Sequence, residues 1–394
     1  MRRNLNTIEP EHHRESFVTR VNMPENTPTL NAFYLYITNG CNLFCKHCWI
    51  TPSFVNGEPS PGDYLDLDLL KIAVSDGKTL GLNQAKLTGG EPLLHPKLKE
   101  MTEYLSNEDI KLTMETNCTL VDAEMAKHFM KNTTIRFIST SLDSPDPISH
   151  DQFRGKQGTF NKTIKGIEHL VNVGYRPQII MSPHRRNIHE VEDLVKLAIK
   201  IGAGSVKFNP VTPTGRGAKM EENGETLDFD ETMRLVHYVR GELQEKYKIK
   251  LFISCPPALS SIKEILREKE VGGACRVLNI LGILGNGEMA LCGIGRNIPE
   301  LCFGRLGQDN LRETWINHPT LVKLRKDLKG NLPGICGHCI HAKRCLTHCV
   351  AMNYVQYGEL VNPSYLCDQA EKKGLFPIIR KKEYENTISS DDKY

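Results

Sequence analysis

The sequence predicts an α/β fold, in which an open barrel of six βα units precedes a cysteine-rich module of short hairpins and helices. Three observations carry this expectation. From Ala32 to about Ser254, short β-branched runs alternate with longer helical stretches, the pattern of repeated βα units around a parallel sheet. After Cys255-Pro256-Pro257 the alternation stops, and cysteine, glycine and hairpin signals such as Leu284-Gly285-Asn286-Gly287-Glu288 replace it. The 13 cysteines are also unevenly spread, most of them gathered in two arrays.

The expected strands are Phe33–Thr38, Ala85–Thr88, Lys111–Glu115, Ile135–Ser141, Gln178–Ser182 and Val206–Asn209, with amphipathic segments such as Leu67–Leu80 and Thr163–Val173 following them. Six such units suit a partial (β/α)6 barrel of the TIM type, whose sites lie at the carboxyl ends of the strands. A chain of 394 residues with 39% hydrophobic content can bury one large core and a smaller one. The expected divisions are a polar segment at 1–31, the barrel at 32–254, a second domain at 255–373 and a tail at 374–394. The tail is charged and weakly apolar, and reads as a partly disordered surface strap.

Net charge is +3, from 50 basic and 47 acidic residues, and neither sign forms a block. That argues against a nucleic-acid partner or a polybasic membrane anchor. The first thirty residues lack the apolar stretch of a signal peptide or membrane span, so a cytoplasmic location is expected. Thiols stay reduced in that compartment, which makes metal ligation the favoured use of so many cysteines.

Cys41-Asn42-Leu43-Phe44-Cys45-Lys46-His47-Cys48 directly follows the first strand as C-x3-C-x2-C, so three thiolates on one loop can face a common metal. A zinc loop completed by His47 or a distant cysteine is the alternative. The loop resembles the signature of the radical S-adenosylmethionine (SAM) superfamily, with Trp49 and His47 flanking the last cysteine. The resemblance implies a [4Fe–4S] cluster whose open iron chelates the SAM methionine, and whose electron splits the sulfonium S–C bond to give a 5′-deoxyadenosyl radical.

Further residues match the same family at strand ends. Thr88-Gly89-Gly90-Glu91-Pro92 resembles its GGEP motif, with Glu91 and the backbone receiving the methionine ammonium. Asn117, Ser141 and Asp143 resemble its ribose- and carboxylate-binding positions, and Arg154 in His150-Asp151-Gln152-Phe153-Arg154-Gly155 is expected to pair with the SAM carboxylate. Ser182, ending strand five, and Arg216 in Thr214-Gly215-Arg216-Gly217 are expected to face the barrel mouth, Ser182 as a further cofactor-binding residue. Caps and turns are the plain alternative for these residues. Cys118, beside Asn117, and Arg216 are the catalytic candidates.

The second array runs C-x11-G-x4-C, a gap, C-x2-C-x5-C-x3-C, a gap, then C, through Cys275, Gly287, Cys292, Cys336, Cys339, Cys345, Cys349 and Cys367. It resembles the SPASM domain of peptide-modifying radical SAM enzymes, which implies two auxiliary [4Fe–4S] clusters and three in all. In that family the ligands interleave: Cys275, Cys292 and Cys349 for the first auxiliary cluster, and Cys336, Cys339, Cys345 and Cys367 for the second. Cys255 is the leading candidate to close the first, unless an open iron there binds substrate. Zinc hooks are the alternative for the C-x2-C pair. Cys118, Cys255 and Cys302 lie outside both arrays and taken singly read as small buried hydrophobes.

The resemblance implies a ribosomally made precursor peptide as substrate, modified by crosslinking, epimerisation or backbone excision. Only about thirty residues precede the first strand, too few to fold as a leader-binding domain, so a separate leader-peptide-recognition protein is expected, together with an electron donor such as flavodoxin or ferredoxin. Tetrapyrrole side-chain modification is the main rival. Formylglycine formation by a sulfatase maturase is disfavoured, because Gly293 stands where those enzymes carry a basic aspartate. A non-catalytic zinc module is the rival from outside catalysis.

Overall fold

The computed structural model describes residues 23–25, 27–52, 54–55, 58–59, 62–267 and 276–382. Cys275, residues 1–22 of the polar segment and residues 383–394 of the tail lie outside these residues. Strand-length runs with apolar residues at every second position form β1 (Ala32–Tyr36), β2 (Gln84–Thr88), β3 (Lys111–Thr116), β4 (Ile135–Ser141), β5 (Gln178–Met181) and β6 (Ser205–Phe208). All six match the expected strands to within two residues at either end. Four more join them: β7 (Lys250–Ile253), β8 (Ile280–Leu284), β9 (Glu288–Ala290) and β10 (Cys302–Arg305).

The ten strands form one sheet in the order β10-β9-β8-β1-β2-β3-β4-β5-β6-β7. Pairing is parallel from β8 through β7, and antiparallel for β8 with β9 and β9 with β10. The barrel is therefore open, and the cysteine-rich region extends its sheet, because β8 docks in register beside β1 with Leu35 opposite Ile283. β8 (Ile280-Leu281-Gly282-Ile283-Leu284) is buried at every position, as a parallel strand covered on both faces must be. A reading tuned to alternation takes only its end, the Leu284 hairpin.

Helices cover the outer face. Leu67–Leu80 turns Leu67, Leu70, Ala73, Val74, Gly77 and Leu80 inward at three- and four-residue spacing; Asp66 caps its start and Gly81 ends it at φ 107°. Inward-pointing positions of the strands are instead polar, including Lys86, Glu115, Ser139, Ser141 and Lys207, and they line a cavity. Among the described residues no helix is long and apolar enough to cross a membrane.

The tail differs from the loose strap expected of it. Phe376 is buried, Ile340 N–H donates to Arg380 O at 3.0 Å, and Lys382 N–H donates to His338 O at 2.8 Å. As far as Lys382 it is therefore hydrogen-bonded across the loop that carries Cys339.

Trp315 ties the C-terminal region to the start of the barrel. Its ring is fully buried, its Nε1–H donates to Pro28 O at 3.0 Å, and the Arg325 guanidinium lies 4.5 Å from the ring centre. Trp315→Ala is expected to lower unfolding free energy by about 3–5 kcal/mol in anaerobic denaturant titration; a loss under about 1 kcal/mol contradicts this role.

Candidate active site

The first cysteine loop is fastened on two sides. Thr38 Oγ1 accepts Gly40 N–H at 2.9 Å, Thr38 O accepts Gly90 N–H at 2.8 Å, and Gly40 O accepts Glu91 N–H at 2.8 Å. Phe44 and Lys46 donate to the Arg154 and Phe153 carbonyls at 3.0 and 2.9 Å. Glycine is obligatory at the β2 turn: Gly89 has φ 134°, and a Cβ at Gly90 would overlap the Gly40 carbonyl.

Cys41 and Cys45 are buried and Cys48 is half-buried, all as free thiols. Burial pushes the Cys41 and Cys45 thiols up; neighbouring Cys45 adds to the rise at Cys41, while Arg154 opposes it at Cys45. Two buried thiols and a half-buried one massed on one loop gain from a bound cationic metal, so the residues fit an iron–sulfur cluster. Among the described residues no three His, Cys, Asp or Glu side chains converge as ligands of a single metal ion. A four-iron cube is wider than an ion and holds its thiolates farther apart.

Behind the loop lies a buried ion pair. Arg154 Nε and Nη2 both reach Asp143 Oδ2 at 2.5 Å, Arg154 Nη1 reaches Cys45 Sγ at 3.5 Å, and Asp143 Oδ1 accepts Ser182 N–H at 2.8 Å. Burial alone would raise the Asp143 carboxyl, but Arg154 outweighs it and holds it below the usual carboxylate range. Glu91 is similarly enclosed. Burial pushes its carboxyl up to about 6, against hydrogen bonds from Asn117 N–H at 2.8 Å, Thr116 Oγ1–H at 2.7 Å and Leu93 N–H at 3.1 Å.

A cavity of about 700 Å³ opens above these residues. Cys41, Cys45 and Cys48 line it, and so do Gly89, Gly90, Asn117, Ser141, Arg154 and Ser182 among the residues expected to bind cofactor. Glu91 and Asp143 sit behind the wall, each with 1% of its surface exposed. Their place is to position Asn117, Arg154 and Ser182.

Neither catalytic candidate lines the cavity. Cys118 is fully buried in the core, its carbonyl under Gly166 of the Thr159–Asn172 helix, and burial pushes its thiol up to about 12. Arg216 backs the cysteine loop: its N–H donates to Cys48 O at 3.0 Å, and its guanidinium lies 4.0 Å from the Phe44 ring centre. Both expectations treated nearness in sequence to a strand end as nearness to the cavity.

The second array separates in space. Cys336, Cys339, Cys345 and Cys367 line one small enclosed cavity with Ala258, Thr347 and Phe376. Cys292 and Cys349 form the other group; burial pushes the Cys292 thiol up to about 11, and Cys349 beside it adds to the rise. Cys349 also lines the large cavity. Cys255, expected to close the first auxiliary set, is buried and interacts electrostatically with Cys345 of the second set. Between the two groups the chain takes three left-handed residues in succession, Leu346, Thr347 and His348, at φ 49°, 62° and 70°.

Among the lining residues that sequence reading missed, four carry chemistry that bears on the site. Lys86, Glu115 and Lys207 stand two residues before Thr88, Asn117 and Asn209 at the strand ends, and this two-residue step was the signal that could have found them. His47, read only as a possible metal ligand, is an uncharged wall. Burial lowers its pKa to about 3, its ring stacks on Phe153 at 4.5 Å, and Nε2 lies 3.3 Å from Ser182 Oγ.

Arg154→Met leaves Asp143 buried without its cation and is expected to lower stability by about 3–5 kcal/mol in anaerobic denaturant titration. Adding Asp143→Asn should restore part of that; an unchanged single variant contradicts the pairing.

Residues 35–198 match the sequence profile of the Radical SAM superfamily. The chain is 29% identical over 356 residues to an AdoMet-dependent heme synthase of Methanosarcina barkeri, covering 87% of this chain and 97% of that protein. It is 25% identical over 258 residues to the antilisterial bacteriocin subtilosin biosynthesis protein AlbA of Bacillus subtilis, covering 60% of this chain and 56% of that one. In fold it is similar to SuiB of Streptococcus suis bound to the precursor peptide SuiA, with a TM-score of 0.67, 18% identity, and coverage of 87% of this chain and 76% of that one. Taken with a C-x3-C-x2-C loop and a glycine turn meeting at the mouth of an open parallel barrel, these likenesses show an enzyme that carries a Radical SAM domain, followed by a cysteine-rich region.

Proposed function

We propose that this enzyme abstracts hydrogen from a ribosomally made peptide, a segment of which enters the large cavity beside SAM. Cys41, Cys45 and Cys48 would hold the SAM-binding [4Fe–4S] cluster, which when bound supplies the electron that splits SAM to a 5′-deoxyadenosyl radical. Gly89, Gly90, Asn117, Ser141, Arg154 and Ser182 would hold SAM, and Glu91 and Asp143 would orient them. Cys336, Cys339, Cys345 and Cys367 would hold one auxiliary cluster. Cys275, Cys292 and Cys349 would hold another, closed by Cys255 or left with an open iron for substrate. A separate leader-recognition protein and a flavodoxin or ferredoxin would complete the system.

The observation that carries the peptide reading is the charge balance of the cavity. Among the described residues three cations line it, Lys86, Arg154 and Lys207; two already have carboxylate partners, Glu115 for Lys86 and Asp143 for Arg154, and Glu221 adds a further carboxylate to the lining. A macrocycle bearing several carboxylates would meet a single unpaired cation, whereas a peptide segment asks for no more. Tetrapyrrole modification is the second reading, favoured by a likeness that spans nearly all of a heme synthase. The sulfatase-maturase reading loses further ground, because a Cβ at Gly293 would overlap both the Trp49 and Tyr36 rings, leaving no room for a carboxylate.

Anaerobic reconstitution should load about twelve irons per chain for three four-iron clusters. Replacing Cys41, Cys45 and Cys48 together with alanine should remove about four irons and abolish formation of 5′-deoxyadenosine from SAM. One or two zincs in place of iron would end the radical reading. The substrate class is tested by mass spectrometry after anaerobic co-expression with candidate precursor peptides: a peptide of altered mass is expected, and conversion of a propionate-bearing porphyrin instead would overturn the peptide reading.

A further inference from the structure

One step below the strand-end residues, the inner face of the barrel carries a charge cluster that SAM binding does not use. Lys86 on β2, Glu115 on β3 and Lys207 on β6 each lie two residues before a strand-end polar residue, about 6.5 Å deeper along the strand. Lys86 Nζ is 3.0 Å from Glu115 Oε1 and 4.4 Å from the Tyr34 ring centre, and Thr88 Oγ1–H donates to Glu115 Oε2 at 3.3 Å. Lys86 and Glu115 keep 25% and 34% of their side-chain surface open although they lie deep in the molecule, because that surface faces the cavity.

Both oxygens of Glu115 are thus engaged, and Lys207 Nζ has no hydrogen-bond acceptor among the described residues. It faces Glu115, which attracts it, and Lys86, which repels it. Burial lowers the Lys207 pKa, and Glu115 only partly offsets that cost. The ion pair is complete with Lys86 and Glu115 alone; a second ammonium adds desolvation cost with no hydrogen-bond partner of its own among the described residues. Two cations around one carboxylate leave an excess positive charge facing the chamber. Lys86 also acts electrostatically on Cys292, which places the cluster toward the auxiliary cysteines.

We infer that Lys86, Glu115 and Lys207 form an anion subsite that takes a carboxylate of the substrate, with Lys207 as the specificity-determining residue. The inference rests on the peptide reading above and narrows it: the segment that enters the barrel carries an aspartate, a glutamate or a free carboxyl terminus. Glu115 holds Lys86 in place and keeps the subsite at a single excess charge, so it accepts one carboxylate and turns away an amide, which brings no charge to balance it.

The test uses full-length, anaerobically reconstituted, SAM-loaded protein in equilibrium dialysis against two matched hexapeptide libraries. One contains glutamate and a free carboxyl terminus; the other contains glutamine and an amidated terminus. A parallel arm compares coproporphyrin with its tetramethyl ester. Wild type is expected to retain the carboxylate library about tenfold better than the amide library, from one charged hydrogen-bonded contact. Lys207→Met should reduce the preference to within about twofold, and Lys207→Arg should restore it, because the charge alone is at stake. Unchanged binding of radiolabelled SAM shows that a variant is folded, and Lys207→Gln replaces the methionine variant where that control fails. Equal retention of carboxylate and uncharged forms in both arms, retention of none, or a preference that survives loss of the Lys207 charge overturns the subsite. A preference for coproporphyrin over its ester that disappears in Lys207→Met, with neither library retained, upholds the subsite and overturns the peptide reading.

Discussion

In a parallel sheet covered on its outer face by helices, no strand can slip by one residue without turning its apolar side into the cavity and its polar side into the core. That constraint fixes the register of β1 to β6, and everything at the mouth follows from it. Tyr36 lies opposite Thr88, and Thr116 opposite Thr140, so the loops leaving these strands emerge at one level. The cysteine loop, the glycine turn, Asn117 and Asp143 then meet over distances of a single hydrogen bond. Phe33, Leu35, Leu87, Leu112 and Ile138 hold that register from the outside, each buried to within 2%; a fully buried side chain of this kind contributes about 1.5–3 kcal/mol. The chemistry is placed by residues that never touch it.

Lys207 apart, charge inside this mouth is used in pairs. Asp143 with Arg154 is a buried ion pair and Glu115 with Lys86 a half-buried one facing the cavity, while the uncharged imidazole of His47 packs between the cysteine loop and Ser182 without adding another charge. Such pairs are costly to break and weak as net stabilisers, so their value lies in specifying geometry. The massed thiols are the reverse case. Burial resists the ionisation of Cys41 and Cys45, and a bound cation would offset that cost, coupling metal loading to local order.

Much of this was legible in the sequence. Short β-branched runs alternating with helical stretches located six strands to within two residues, because each strand is followed by a helix that covers its outer face. The strand-end residues and the split of the second array were read from resemblance to the radical SAM and SPASM families, and the parallel topology explains why the strand-end residues meet at one level. What escaped reading did so for physical reasons. β8 is apolar throughout and so has no alternation to detect, and its pairing with β1 spans more than two hundred residues of chain, which local pattern cannot convey. Cys118 and Arg216 sit in the right loops yet point away from the cavity, since side-chain direction at a loop depends on packing partners: Gly166 above one, and the Phe44 ring beneath the other. Lys86, Glu115 and Lys207 looked like ordinary strand charges until the closure of the inner face set them together.

The three left-handed residues between Cys345 and Cys349 have a mechanical consequence. Each such residue costs on the order of 1–2 kcal/mol, and the turn persists because its flanks hold it: Asn353 Nδ2–H donates to Thr347 O at 2.9 Å, His348 N–H donates to Cys345 O at 2.9 Å, and His348 Nε2 lies 2.9 Å from Ser254 Oγ. Cys345 looks into the small cysteine-lined cavity, while His348 and Cys349 look into the large one. The turn therefore fixes the spacing between the two cavities: it joins the wall of the four-cysteine cavity to the wall of the large one within four residues of chain.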